Sequence, residues 1–159
     1  FVIILVTNKV WSDNFWLHQE GSFVEKLMGR HASYYYAFFR IVFGFMFLLH
    51  GTQKFLNFPA SDKWAGIPSG MPFVGGLLEI VCGLFIMVGF YTAIAAFVAS
   101  GQMAVAYFMY HQPGGALPRT NGGELAVAYC FAFLYIASRG SGVLSLDAMI
   151  RPNKGTTPY

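Results

Sequence analysis

Charge is what this sequence has least of. Ten Lys or Arg and seven Asp or Glu make up 11% of 159 residues, against about a quarter in an average soluble domain. With 56% hydrophobic and 18% aromatic residues and a mean hydropathy of +0.53, an ordinary soluble domain is excluded and an integral membrane protein is indicated. Cysteine is nearly absent too. Cys82 and Cys130 stand alone in apolar stretches with no CxxC or Cys/His metal spacing, which excludes a thioredoxin-like redox centre and a structural zinc site. Each reads as a small thiol filling space between helices. No Lys/Arg cluster exists: the basic residues are scattered at the ends of apolar runs. The net charge of +3 therefore speaks to orientation in a bilayer and not to nucleic acid. A haem-attachment signature, a nucleotide-binding motif and a nucleophile elbow are missing as well, and no catalytic residue is assigned.

What is present is long and apolar. The runs are continuous, with no alternating ten-residue segments, which argues for helices and against a β-barrel. At about 20 residues per crossing the chain accommodates four spans, at 33–52, 71–89, about 92–110 and about 123–138. NFPASDKWAGIPSG separates the first two, GFYT joins the second and third tightly, and HQPGGALPRTNGG breaks the helix before the fourth. The expected fold is an all-α integral membrane protein, a four-transmembrane-helix bundle with an N-terminal interfacial segment. Its parts are a docking segment at 1–32, the membrane domain at 33–150 and a polar tail at 151–159. In the first part Trp11, Trp16 and Phe23 alternate with Asp13, His18, Glu20 and Glu25, which suits a helix lying at a membrane surface. FVIILVT is too short for the apolar core of a secretory signal with its flanks.

Lys9, Lys26, Arg30, Arg139, Arg151 and Lys154 flank the outer ends of the first and fourth spans, while Lys54, Lys63 and Arg119 fall on the opposite side. Six against three places both termini in the cytoplasm.

Two charges lie inside the spans, Arg40 in the first and Glu79 in the second. A charge at mid-membrane costs a few kcal/mol on insertion scales, so such residues face protein or water and take partners. Gly44 and Gly51 share a face with Arg40; Gly76 and Gly83 share one with Glu79; Ala95, Ala99, Gln102 and Ala106 line the third span. Small residues let membrane helices approach closely, so the polar groups sit on packing faces. At 1.5 Å per residue, Glu79 lies ~12 Å deep from the outer side and Arg40 ~10 Å from the cytoplasmic side, ~6–8 Å apart in depth. The outer half collects His50, Lys54, Glu79, Gln102, His111 and Glu124 from all four spans, with Arg40 one layer inward.

Each has a plainer alternative. Arg40 and Glu79 suit an ion pair that fixes helix register, and His50 and Lys54 suit snorkelling at a helix end. His111 before Gln112-Pro113 terminates a helix, and Glu124 after NGG meets a helix dipole. The Phe and Tyr residues read as packing and lipid-facing. As a site, the imidazoles and carboxylates suit proton exchange, and an apolar pocket with such groups at its mouth suits a quinone head group or a lipid. No HxxE or HxxxH spacing supports a metal.

RIVFGFMFLLHGTQKF, GGLLEIVCGLFIMVGFYT and NGGELAVAYCFAFLYIASRGSGVLSLD, in that order over about 35–150, resemble the DoxX family of small bacterial four-helix membrane proteins. On that resemblance Arg40, His50, Gly51, Lys54, Glu79, Glu124 and Asp147 occupy motif positions. The resemblance implies the bacterial cytoplasmic (inner) membrane, and an accessory or anchoring subunit of a redox complex with other membrane subunits as partners. Related DoxD-type proteins are the membrane subunit of a thiosulfate:quinone oxidoreductase, which implies quinone contact. A purely structural docking protein is the competing reading, and a small transporter a weaker one, since the chain shows no inverted repeat.

Overall fold

A computed structural model describes residues 22–62 and 67–150, and every regular element among them is helical. The Trp-containing segment before Ser22 and the tail from Arg151 lie outside the described residues. The chain divides into two compact units, the first ending at Ala32 and the second beginning at Ser33.

In the first unit α1 spans Phe23–Arg30. It begins with a capping box: Glu25 N donates to Ser22 Oγ at 3.3 Å and Ser22 N donates to Glu25 Oε2 at 2.6 Å. Two otherwise orphaned amides are thus satisfied. Phe23, Val24, Leu27 and Met28 are exposed along it.

The second unit holds the long helices. They are α2 (Ala32–Leu56), α3 (Met71–Val88), α4 (Thr92–Ala106), the short α5 (Pro118–Asn121), α6 (Glu124–Arg139) and α7 (Leu146–Ile150). A π-helical turn, Tyr107–His111, and a 3₁₀ turn, Gln112–Gly114, prolong α4. Three helical runs are long and apolar enough to cross a membrane: Ala32–Leu56, Met71–Val88 and Thr92–Gly114. The fourth expected span, α6, has 16 residues, ~24 Å of helix against a hydrocarbon core of about 30 Å. Glycines bound it at both ends, Gly123 at its start and Gly140 (φ 74°) at its finish.

Glycine contacts set the register of α2 against α3. A Cβ on Gly44 would lie 2.5 Å from Met87 N and 2.9 Å from Gly83 O; one on Gly83 would lie 2.6 Å from Leu48 N. A Cβ on Gly51 would meet Gly76 O and Ile80 N at 2.8 Å each. These are backbone atoms, so the two helices touch main chain to main chain, which only glycine permits. Running antiparallel, the pair aligns residues near 40 with the end of α3 and residues near 50–54 with its first turns.

The expected tight link between the second and third spans is present. Gly89 is left-handed (φ 75°), and its N–H donates to Phe85 O at 3.0 Å, a helix-closing arrangement that glycine adopts without strain. Tyr91 is left-handed too (φ 44°), and Thr92 begins α4. Beyond the turn α4 packs along α3 and most extensively along α6. Ala95, Ala96, Ala99 and Met103 face Tyr129, Phe133 and Ile136 in the core. Ser100 Oγ donates to Cys130 O at 2.8 Å and ties α4 to α6.

Candidate functional site: a cavity between the helices

The two intramembrane charges do not meet. Arg40 is fully buried, and its Nη1 donates to Ile86 O (2.6 Å) and Met87 O (2.8 Å) while Nη2 donates to Leu144 O (2.7 Å). The carbonyls it reaches on α3 stand seven and eight residues beyond Glu79, ~10–12 Å along the helix. That separation exceeds the sequence-based depth difference because the glycine contacts slide α2 toward the end of α3. The register-fixing Arg40–Glu79 pair is thereby corrected. Arg40 instead gathers the end of α3 and the segment before α7 with one planar fork of donors.

Nearby groups complete that end of the bundle. Asp147 N donates to Gly89 O at 3.0 Å, and Thr92 N approaches Asp147 Oδ2 at 3.5 Å. Tyr36 OH donates its one proton to the carbonyl of Gly140, with Ile136 O also in reach at 3.3 Å, and the Arg139 guanidinium lies 5.4 Å from the Tyr36 ring centre, in cation–π range.

Glu79 takes a different partner. Lys54 Nζ donates to Glu79 Oε1 at 2.6 Å. The lysine therefore turns inward and does not snorkel. A missing side chain makes room for it: a Cβ on Gly76 would stand 3.2 Å from Lys54 Cδ and 2.7 Å from the Phe55 ring. Gln102 joins from α4, its Nε2 donating to Gly75 O at 2.9 Å and approaching Glu79 Oε1 at 3.4 Å. The Gly75 contact fixes the amide, since a carbonyl oxygen there could not accept from another carbonyl.

These groups line a cavity of about 790 Å³ formed by α2, α3, α4, the π-helical turn and α6, within the range of small-molecule sites. Its wall is mainly apolar, with Phe47, Leu78, Val98, Met103, Leu125 and Ala126 among the lining residues. Five of the seven residues singled out in the sequence border it: His50, Lys54, Glu79, Gln102 and His111. The π-helical turn carries Tyr110 and His111 to its rim; such widened turns are frequent at functional sites. His111 Nδ1 donates to Asn121 O at 3.3 Å, and the ring stacks on Tyr107.

The other two lie elsewhere. Arg40 belongs to the knot at the opposite end, and Glu124, in the first turn of α6, pairs with Arg119 at 3.1 Å with both side chains exposed. That pair is worth little, as exposed ion pairs are. Tyr129 is the lining residue sequence reasoning passed over as packing. It is 1% exposed, borders the cavity and stands edge-on to His50 at 5.7 Å. The signal was its spacing: Ala126, Tyr129, Phe133 and Ile136 recur at three and four residues and form the buried face of α6. A phenol on such a face needs a partner for its hydroxyl.

Five buried polar atoms have no hydrogen-bond partner among the described residues: Arg40 Nε, Thr92 Oγ1, Glu79 Oε2, Gln102 Oε1 and Tyr129 OH. The last three belong to residues that line the cavity. Leaving a buried polar group unpaired costs about 1–3 kcal/mol, so three in one place is unfavourable for a purely structural bundle. Among the described residues no three His, Cys, Asp or Glu side chains converge closely enough to hold a metal ion.

Comparison with known proteins agrees with the membrane architecture. The model of the DoxX family matches residues 36–112. An uncharacterized protein of Haemophilus influenzae is 43% identical over 123 residues, covering 74% of this chain and 92% of that protein. No solved structure matches the chain.

Proposed function

The chain belongs to the DoxX family of membrane proteins, and we propose that it is an accessory or anchoring subunit of an electron-transfer complex that holds a quinone-type head group in the cavity beside Lys54, Glu79 and Gln102. In this reading the protein crosses the bacterial inner membrane four times. The short α6 makes the fourth crossing, both termini are cytoplasmic, α1 and the segment before it lie at the membrane surface, and other membrane subunits dock beside the bundle. Lipid is a second occupant of the same chemical kind. A membrane subunit of a thiosulfate:quinone oxidoreductase is a narrower version, for which the chain itself offers no centre to oxidise thiosulfate.

One observation carries the reading. The Lys54–Glu79–Gln102 cluster is buried, comes from three helices and borders an apolar cavity with carboxylate and amide oxygens left without partners. A buried ion pair gives weak support to stability on its own, so its place beside a cavity points to recognition. The competing structural reading draws on the same pair, closed at 2.6 Å. Native purification in mild detergent, followed by extraction and quantification of bound quinones, separates them. Glu79→Gln is expected to lower the total of bound quinone and hydroquinone several-fold. Unchanged occupancy and unchanged turnover of the purified complex would leave the structural reading standing.

A further inference from the structure

Two of the three buried unpartnered atoms on cavity-lining residues are acceptors. Glu79 Oε2 and Gln102 Oε1 are acceptors only, and both are buried without a partner. Glu79 as a whole is 4% exposed. His111 gives its Nδ1 proton to Asn121 O, so in the neutral ring Nε2 is a further acceptor. The donors of Lys54 and Gln102 at the same wall are engaged, while the His50 ring, which also lines the cavity, offers one donor and one acceptor in its neutral form. Lys54 Nζ is held by Glu79 Oε1, and Gln102 Nε2 is held by Gly75 O and Glu79 Oε1. Tyr129 OH can act in either sense.

From this asymmetry we infer that the cavity selects a head group that donates hydrogen bonds, so that it prefers a hydroquinone, with two hydroxyls, to the corresponding quinone, with two carbonyls. The inference rests on the proposed quinone site and specifies its redox form. A hydroxyl directed at Glu79 Oε2 makes a charge-assisted bond, roughly twice as strong as a neutral one. The second acceptor, on Gln102, belongs to a neighbouring helix and to a residue that lines the same cavity. A quinone in that place sets carbonyl oxygen against carboxylate and amide oxygen, with both of those acceptors still unmet. Sites built to hydrogen-bond a hydroxyl reject analogues lacking it strongly, because their own polar groups are left unpaired. The apolar wall, with Leu78, Val98 and Leu125, accommodates the start of the hydroquinone's tail.

The test uses the full chain in phosphatidylcholine nanodiscs under anaerobic conditions. Binding of a decyl-chain hydroquinone is compared with that of its oxidised benzoquinone. The reduced form is expected to bind at least ~10-fold more tightly, and a tenfold preference raises the potential of the bound couple by about 30 mV for two electrons. Glu79→Gln exchanges an acceptor for an amide donor at the decisive position. It is expected to weaken hydroquinone binding about tenfold while leaving quinone binding equal or tighter, a reversal that a merely structural role does not produce. Should that variant fail to fold, the ratio measured on the unaltered protein still decides.

Equal or tighter binding of the quinone overturns the redox preference and leaves the proposed quinone site intact. No saturable binding of either form overturns both. Phosphatidylethanolamine also presents N–H donors, so discs containing it form a separate arm. If that lipid competes hydroquinone away, the acceptors serve a lipid amine and the hydroquinone assignment fails.

Discussion

Arg40→Met separates the structural role of the first intramembrane charge from any role at the cavity. Arg40 supplies donors to Ile86 O, Met87 O and Leu144 O. Ile86 O also accepts from Gly89 N at 3.3 Å, so the substitution bears hardest on Met87 O and Leu144 O. Each acceptor left unmet costs about 1–3 kcal/mol, or ~2–6 kcal/mol for the two. Relief from burying a guanidinium and the apolar contacts of the methionine offset part of this. The expected net loss is about 2–4 kcal/mol, a fall in melting temperature on the order of 10 °C for a chain of this length. Arg40→Lys is expected to recover only part of it, because an ammonium has no planar fork to serve carbonyls on two separate segments.

Cys82 provides the assay. Its thiol is 5% exposed in the same core, so a thiol-reactive fluorophore added to detergent-solubilised protein reports unfolding as temperature rises. Ligand affinity in the cavity is expected to stay within about twofold of the unaltered protein, since Arg40 does not line it and His50 lies ~15 Å further along α2. A melting temperature unchanged by Arg40→Met would refute the assignment of Arg40 as the knot of that end. So would a loss of ligand affinity at unchanged stability, which would return Arg40 to the site.

Two further substitutions probe the helix contacts. Gly83→Ala places a Cβ 2.6 Å from Leu48 N and 2.9 Å from Gly44 O; a loss of about 1–3 kcal/mol is expected in the same melt. Gly101→Ala is the control: a Cβ there meets nothing within 4 Å, and its helix gains up to ~1 kcal/mol in propensity. Lys54→Met strands the Glu79 carboxylate and is expected to cost about 3–5 kcal/mol. Adding Glu79→Gln should restore most of that, and a double-mutant cycle that proves additive would refute a direct pair.

The helices were legible because their signals are local. Continuous apolar runs, the GFYT turn and the NGG start of α6 mark boundaries that the described helices follow closely. Partner choice was not legible, because it depends on register, and register is set by where two backbones come closest. Gly44, Gly51, Gly76 and Gly83 were visible as packing residues, yet helical rise alone placed Arg40 too near Glu79. The pairing of Gly44 with Gly83 and Gly51 with Gly76, unknowable from one strand of sequence, moves Arg40 to the α3–α4 turn and brings Lys54 to Glu79. Glu124 shows the opposite limit: its depth matched the cluster, but it pairs outward with Arg119. Depth follows from counting residues, whereas azimuth near a helix end depends on the loop that precedes it.

The same register makes the two ends of the unit chemically unlike. At the Arg40 end a cation meets main-chain carbonyls from α3 and from the segment before α7, and Asp147 and Tyr36 add further backbone contacts. Thr92 Oγ1 and Arg40 Nε stay unpartnered there, but neither residue lines the cavity. Toward the other end the charges pair side chain to side chain, and the acceptors left over belong to residues that line the cavity. A bundle that needed charge only for cohesion would gain from exchanging Lys54 and Glu79 for apolar residues of similar volume, which is often neutral or stabilising by about 1–4 kcal/mol. Keeping an ion pair beside a cavity makes sense when an occupant completes it. The fastened end supplies the rigidity that holds such acceptors in place.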